Sequence, residues 1–212
     1  MKIETAWNRI AVGVRKFQTE VFPEQRALFA SLRKRQDPLA LFITCADSRI
    51  LPNLITQSVP GEIFTDRNPG NMVPPYSEFV GGVTSGVEYA MLVLKVPLII
   101  VCGHTDCGVM KALLHPETAN GLPGMQQWMR HGNEARHTVL RDYAERSDEE
   151  KVSRLAEANV LGQIANLKTH PSVATHLNAG EVMIRGWVYD IGSGSIRQAD
   201  PETGEFAEFH GE

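Results

Sequence analysis

Two short apolar runs constrain the fold of this chain more than any other feature. Leu39, Ala40, Leu41, Phe42, Ile43 and Thr44 form one, entered through Asp37-Pro38, and Pro97, Leu98, Ile99, Ile100, Val101 and Cys102 form the other. Each is too short for a helix and shows no alternation, which is the pattern of a strand buried on both faces of a parallel sheet. Parallel neighbours need crossovers, and the intervening chain offers them: a strand fits residues 62–67 after Pro60-Gly61, and a helix fits 82–95. This alternation predicts an α/β fold with a mostly parallel central sheet and flanking helices. Functional groups in such sheets collect just past the carboxyl ends of the strands.

The rest of the chain can be placed around that sheet. Trp7, Ile10, Val14, Phe17 and Val21 recur at steps of three and four, a single apolar stripe on a helix. The stripe must cover either the same chain's core or a second subunit. A separate helix fits 24–34, with Leu28 and Leu32 inward and Pro23 dividing the two. Residues 124–169 read as helical, and the charged stretch 141–151 reads as a solvated face. A late strand over 181–191 is turned back by Gly192-Ser193-Gly194-Ser195 towards Ile196, Arg197 and Gln198, a C-terminal hairpin. No repeat or linker divides the chain, so we expect one domain over 1–212, with a helical arm at 1–35 and an α/β core at 36–212.

Charge and cysteine usage narrow the chemistry. A net charge of −4, without a clustered basic excess, argues against nucleic acid or a membrane surface as partner. No apolar run approaches the roughly 20 residues that span a bilayer, and Glu4 and Arg9 stand where a signal peptide needs its apolar core. A cytoplasmic location is expected. Cys45, Cys102 and Cys107 are an odd count in a chain long enough not to need disulfides. Cys45 and His104 each follow a buried run, and Cys107 lies three residues beyond His104. Two neighbouring strand ends would then aim two thiolates and an imidazole at one point, a zinc site with an open fourth position. Cys102, inside its strand, reads as a small buried hydrophobe. Asp47 and Arg49, two residues apart beside Cys45, suit a bidentate pair. In that reading Arg49 fixes Asp47, which orients the metal's nucleophile; Asp47 could instead take the fourth ligand position.

In order along the chain, Cys45-Ala46-Asp47-Ser48-Arg49, Asp66-Arg67-Asn68-Pro69-Gly70-Asn71, Glu88-Tyr89, Gly103-His104-Thr105-Asp106-Cys107-Gly108 and Gly186-Trp187-Val188-Tyr189-Asp190 resemble the β-class carbonic anhydrases. The resemblance covers about residues 17–197. It implies Cys45, His104 and Cys107 as ligands of Zn2+, Asp47 and Arg49 as the catalytic dyad, and reversible hydration of CO2 to bicarbonate. It further implies Gln36, Phe64 and Tyr89 as substrate-binding residues of the plant-type subclass, and a homodimer or tetramer assembled through the N-terminal helices. Members with a second, inhibitory bicarbonate site carry Trp three residues before the first cysteine, where this chain has Phe42. An open-site enzyme is therefore expected, despite Arg67 and Tyr189. Three rivals remain at this stage. A thiol enzyme would use Cys45 as nucleophile and His104 as base, although the C-x5-R spacing of phosphatase loops meets Leu51. A structural zinc module would need a fourth permanent ligand. A carbon disulfide hydrolase would share the same zinc set.

Overall fold

The run ending at Cys45 forms strand β1 (Ala40–Cys45), in which every residue is buried. In the computed structural model, which describes residues 2–76 and 81–211, β2 (Ile63–Asn68) flanks one side of β1 and β3 (Leu98–His104) the other, both parallel to it. β4 (Met183–Tyr189) lies parallel to β3, and β5 (Ile196–Ala199) and β6 (Phe206–Glu208) close the sheet antiparallel. The strand order is β2-β1-β3-β4-β5-β6. The chain thus leaves β1 for one neighbour and returns to its other side, so the winding reverses between β1 and β3. Crevices at such a switch point are where α/β sheets bind ligands.

Strand periodicity sorts the side chains of β1 onto two faces. Leu41, Ile43 and Cys45 join the main core, while Phe42 joins a smaller cluster with Ile100 and Cys102, backed by Trp187 and Tyr189. Each fully buried Leu, Ile or Phe contributes about 1.5–3 kcal/mol, which pins the register and with it the position of the strand ends. The hairpin expected after residue 191 is present, with Trp187 opposite Gln198 and the Trp187 indole N–H donating to Gln198 Oε1 at 2.9 Å. The third strand, β6, is an addition to that expectation.

The described chain divides into two units, Met1–Gln36 and Asp37–Glu212. In the first, α1 (Ile3–Lys16) runs into a π-helical segment (Phe17–Val21), then α2 (Phe22–Glu24) and α3 (Arg26–Leu32). Pro23 does not separate the helices, because it sits in the first turn of α2 where its missing N–H costs nothing. The break falls at Gln25, with φ −100° and ψ 9°. Phe17, Phe22 and Phe29 pack together with centroids 5.2 to 6.3 Å apart. The α1 stripe is not buried: Trp7 is 69% and Ile10 63% exposed.

In the second unit, α4 (Pro52–Thr56) links β1 to β2, and α5 (Gly82–Glu88), prolonged by a π-helical segment (Tyr89–Leu94), precedes β3. Between β3 and β4 come α6 (Gly108–Leu114), α7 (Pro123–Met129), α8 (Asn133–Asp142), α9 (Asp148–Leu167) and α10 (Pro171–Asn178). The charged stretch 141–151 is largely exposed, yet it also holds a helix start: Ser147 and Glu150 form a capping box for α9. α9 lies directly on β3 and β4. A Cβ at Gly186 would come within 2.8 Å of Val160 and 2.9 Å of Ile164, so only glycine permits this approach. Among the described residues no helix is long and apolar enough to cross a membrane.

Candidate metal centre

Cys45 ends β1, His104 ends the neighbouring β3, and Cys107 is the residue from which α6 starts. Their ligand atoms lie within 4.8 Å of one another, and all three residues are buried. The imidazole is oriented by its own neighbour: Nδ1 lies 2.8 Å from the Thr105 carbonyl oxygen, which makes Nδ1 the protonated nitrogen and leaves Nε2 as the lone-pair donor. That Nε2 is buried and has no hydrogen-bond partner among the described residues. A bare buried nitrogen facing two sulfurs is costly unless something electrophilic sits between them. The donor set and the orienting carbonyl on His104 match what Zn2+ takes.

The electrostatics favour the thiolate at Cys45. Hydrogen bonding with the Cys107 thiol lowers its pKa most, and the Gly70 backbone N–H adds to this against the opposing effect of burial. The Gly70 N–H donates to Cys45 Sγ at 3.3 Å. Cys107 is pushed up, chiefly by that same shared proton and by burial; a cation between the two sulfurs would displace the proton. Cys102 is fully buried with its pKa raised to about 12 by desolvation, so it stays a neutral thiol.

Asp47 and Arg49 form the expected bidentate pair, with Nε donating to Oδ1 at 3.0 Å and Nη2 to Oδ2 at 2.8 Å. The backbone N–H of Arg49 adds a third hydrogen bond to Oδ1 at 2.9 Å. The Arg49 side chain holds the Asp47 carboxyl well below the usual carboxylate range. Two features of this cluster were not read from the sequence. Arg49 is shared, donating through Nη1 to Asp106 Oδ2 at 3.1 Å, and Asp106 also binds Lys111 of α6. Arg67 reaches across from β2, its Nε to the Cys45 carbonyl oxygen at 3.2 Å and its Nη2 to that of Asp47 at 2.6 Å. Asp106 sits between two ligands with φ 57°, a left-handed conformation that Asp tolerates. Its place inside the H-x-x-C spacing was the available signal.

Of the residues expected to bind substrate, Phe64 and Tyr89 come together, ring centroids 5.9 Å apart. Phe64 is half-buried against the core and Tyr89 is exposed. Gln36 is exposed and is the last residue of the N-terminal unit.

The carbonic anhydrase family model matches residues 40–196. A carbonic anhydrase of Pseudomonas aeruginosa is 44% identical over 194 residues, spanning 92% of this chain and 88% of that protein. The structure of the β-carbonic anhydrase CcaA superposes with a TM-score of 0.94 at 37% identity, covering 97% of this chain and 93% of that one. One of two tetrameric β-carbonic anhydrases from Sordaria macrospora gives a TM-score of 0.72 at 28% identity, covering 96% of each chain.

Proposed function

Because the chain belongs to the carbonic anhydrase family, we propose that it catalyses the reversible hydration of CO2 to bicarbonate and a proton, with Zn2+ held by Cys45, His104 and Cys107. The observation that carries this reading is the buried Nε2 of His104, without a hydrogen-bond partner among the described residues and within 4.8 Å of two sulfurs at the switch point of the sheet. A bound zinc ion supplies the Lewis acidity that makes water a nucleophile near neutral pH. The chain's own residues do the rest. Asp47, kept ionised by Arg49, accepts a hydrogen bond from the nucleophile and so fixes which lone pair faces the substrate. Arg49, anchored on its far side by Asp106, keeps the carboxylate turned away from the ligand atoms. The resemblance assigns Phe64 and Tyr89, whose rings lie 5.9 Å apart, to an apolar wall for CO2, and it assigns Gln36 as a substrate-binding residue.

We assign the chain to the open-site, plant-type subclass. Two features support this: the Phe42 ring packs against Trp187 with centroids 6.0 Å apart, and Arg67 already donates to the Cys45 and Asp47 carbonyls. We further propose a homodimer or tetramer assembled through the N-terminal helix, whose apolar stripe is exposed; a structural relative from Sordaria macrospora is tetrameric. The decisive experiment is stopped-flow CO2 hydration with metal analysis on one preparation. About one zinc per chain is expected, with activity lost on chelation. Full activity without zinc, or zinc-loaded protein inert towards CO2, refutes the reading.

A further inference from the structure

Gly70 lies between Cys45 and helices α7 and α9, and each of its peptide groups is held by a named side chain. The peptide joining Pro69 to Gly70 carries the N–H that donates to Cys45 Sγ at 3.3 Å. The carbonyl of that same peptide, Pro69 O, accepts the Trp128 indole N–H at 2.8 Å, from α7. The following carbonyl, Gly70 O, accepts Nδ2 of Asn159 at 3.0 Å, from α9. Asn159 is fully buried, and its orientation is fixed because its Oδ1 accepts Gln163 Nε2 at 2.9 Å. Gln163 is held in turn by the Val73 N–H at 2.7 Å and the His131 carbonyl at 2.8 Å. On the remaining side Gly70, at φ +76°, is so close to Val109 of α6 that a Cβ would come within 2.8 Å of its Cγ1.

We propose that Trp128 and Asn159 are positioning residues for the Cys45 ligand: they aim the Gly70 N–H at Sγ and thereby set how tightly the centre holds its metal. The physical argument is that a peptide plane has one rotational freedom about its Cα–Cα axis, so pinning its carbonyl oxygen pins its N–H. A hydrogen bond accepted by that carbonyl also polarises the N–H of the same peptide, strengthening its donation to a thiolate. With Trp128 on one flanking carbonyl, Asn159 on the other and Val109 behind, Gly70 cannot turn its N–H away when the sulfur moves. Partners beyond the ligand shell typically alter metal affinity by 10–100-fold. These two act one bond further out, which places each near the lower figure.

The inference rests on the proposed zinc centre, and its test separates the two. Trp128→Phe keeps an aromatic ring on the same half-buried site while removing the N–H together with part of the indole's volume, so the metal-free midpoint is measured alongside to separate the two losses. Asn159→Ser shortens the donor beyond reach and leaves room for a water. Zinc affinity is measured by competition with a chelator, and thermal midpoints are taken for the metal-free and zinc-loaded forms of each protein. A roughly 10-fold weaker affinity is expected for each variant, together with a narrower gap between the two midpoints, because that gap reports zinc affinity. Leu155→Ala, a core truncation on the same helix, is expected to lower both midpoints together with affinity unchanged. If Trp128→Phe and Asn159→Ser behave like Leu155→Ala, the two residues are structural and the inference fails while the zinc centre stands. If the parent protein itself binds no zinc, both fall.

Discussion

Asp47→Asn tests the dyad with the smallest change in shape. The carboxylate accepts three hydrogen bonds, all from Arg49: Nε and the backbone N–H at Oδ1, and Nη2 at Oδ2. In the amide one of these oxygens becomes an NH2 group. If Oδ1 stays an acceptor, the NH2 faces Nη2 at 2.8 Å, donor against donor; if the amide flips, it faces Nε at 3.0 Å and the backbone N–H instead. Neither orientation keeps the fork, and the negative charge is lost in both. The ligands Cys45, His104 and Cys107 are untouched. Because Arg49 is 44% exposed, the unfolding midpoint should move little. The catalytic effect should be large, since misplacing a nucleophile by about 1 Å can cost on the order of 10² in rate. We expect kcat/KM for CO2 to fall on the order of 100-fold, about 2.7 kcal/mol of transition-state stabilisation, with zinc content unchanged. Stopped-flow hydration across pH, with metal analysis of the same sample, is the assay. A variant within about threefold of the parent at every pH would remove Asp47 from the mechanism.

Cys107→Ser should lose the metal and unfold at lower temperature than the parent, because metal-binding free energy is partly folding free energy; metal analysis with thermal unfolding checks both. Gly186→Ala should destabilise by about 1–3 kcal/mol through overpacking, since the new methyl meets Val160 and Ile164 of α9 at 2.8 and 2.9 Å; denaturant unfolding would show it, and an unchanged midpoint would mean that α9 can shift. The depressed pKa of Asp47 means its charge is present above the usual carboxylate range and lost only in strong acid, so it does not titrate near neutrality. kcat/KM should therefore rise with pH as a simple one-proton curve, and a steep multi-proton profile would return Arg67 and Tyr189 to an inhibitory bicarbonate site. Light scattering at micromolar concentration should give a dimer or larger, and a stable monomer would count against assembly through α1.

The strands and the clustering of Cys45, His104 and Cys107 were legible for the same reason. β1 and β3 are continuous apolar runs, and a run that cannot face water on either side ends where the first functional residue begins. Cys45 and His104 proved to be the last residues of their strands, one and two positions beyond the apolar runs, an extension that leaves both side chains at neighbouring strand ends. The Asp47–Arg49 pair was legible because both partners lie in one turn. What was not legible depends on pairings across long stretches of chain. Asp106 reaches Arg49 over 57 residues, Trp128 reaches Pro69 over 59, and Asn159 reaches Gly70 over 89. Asn159 and Gln163 lie four apart on α9 and read as ordinary helix residues until the loop they hold is in place. Pro23 misled in the opposite direction, because a proline that breaks a helix interior is harmless in a first turn.

One loop joins the two halves of the centre. Residues 104–107 contain two of the proposed ligands, His104 and Cys107, and between them Asp106, which clamps Arg49 and is itself bound by Lys111 from the helix that Cys107 starts. The β1 end repeats the arrangement, with Cys45, the third proposed ligand, two residues from Asp47 and both of their backbone carbonyls held by Arg67. Metal ligands and dyad are therefore not separate modules that happen to be adjacent. The Asp47–Arg49–Asp106 bridge ties the two loops together, and a metal held by Cys45, His104 and Cys107, as proposed, would tie them a second time a few residues away. Each tie shortens the conformational search of the other, so a change that loosens one should loosen both. That coupling lets exposed ion pairs, individually weak in water, hold a carboxylate in a fixed orientation beside the reacting centre.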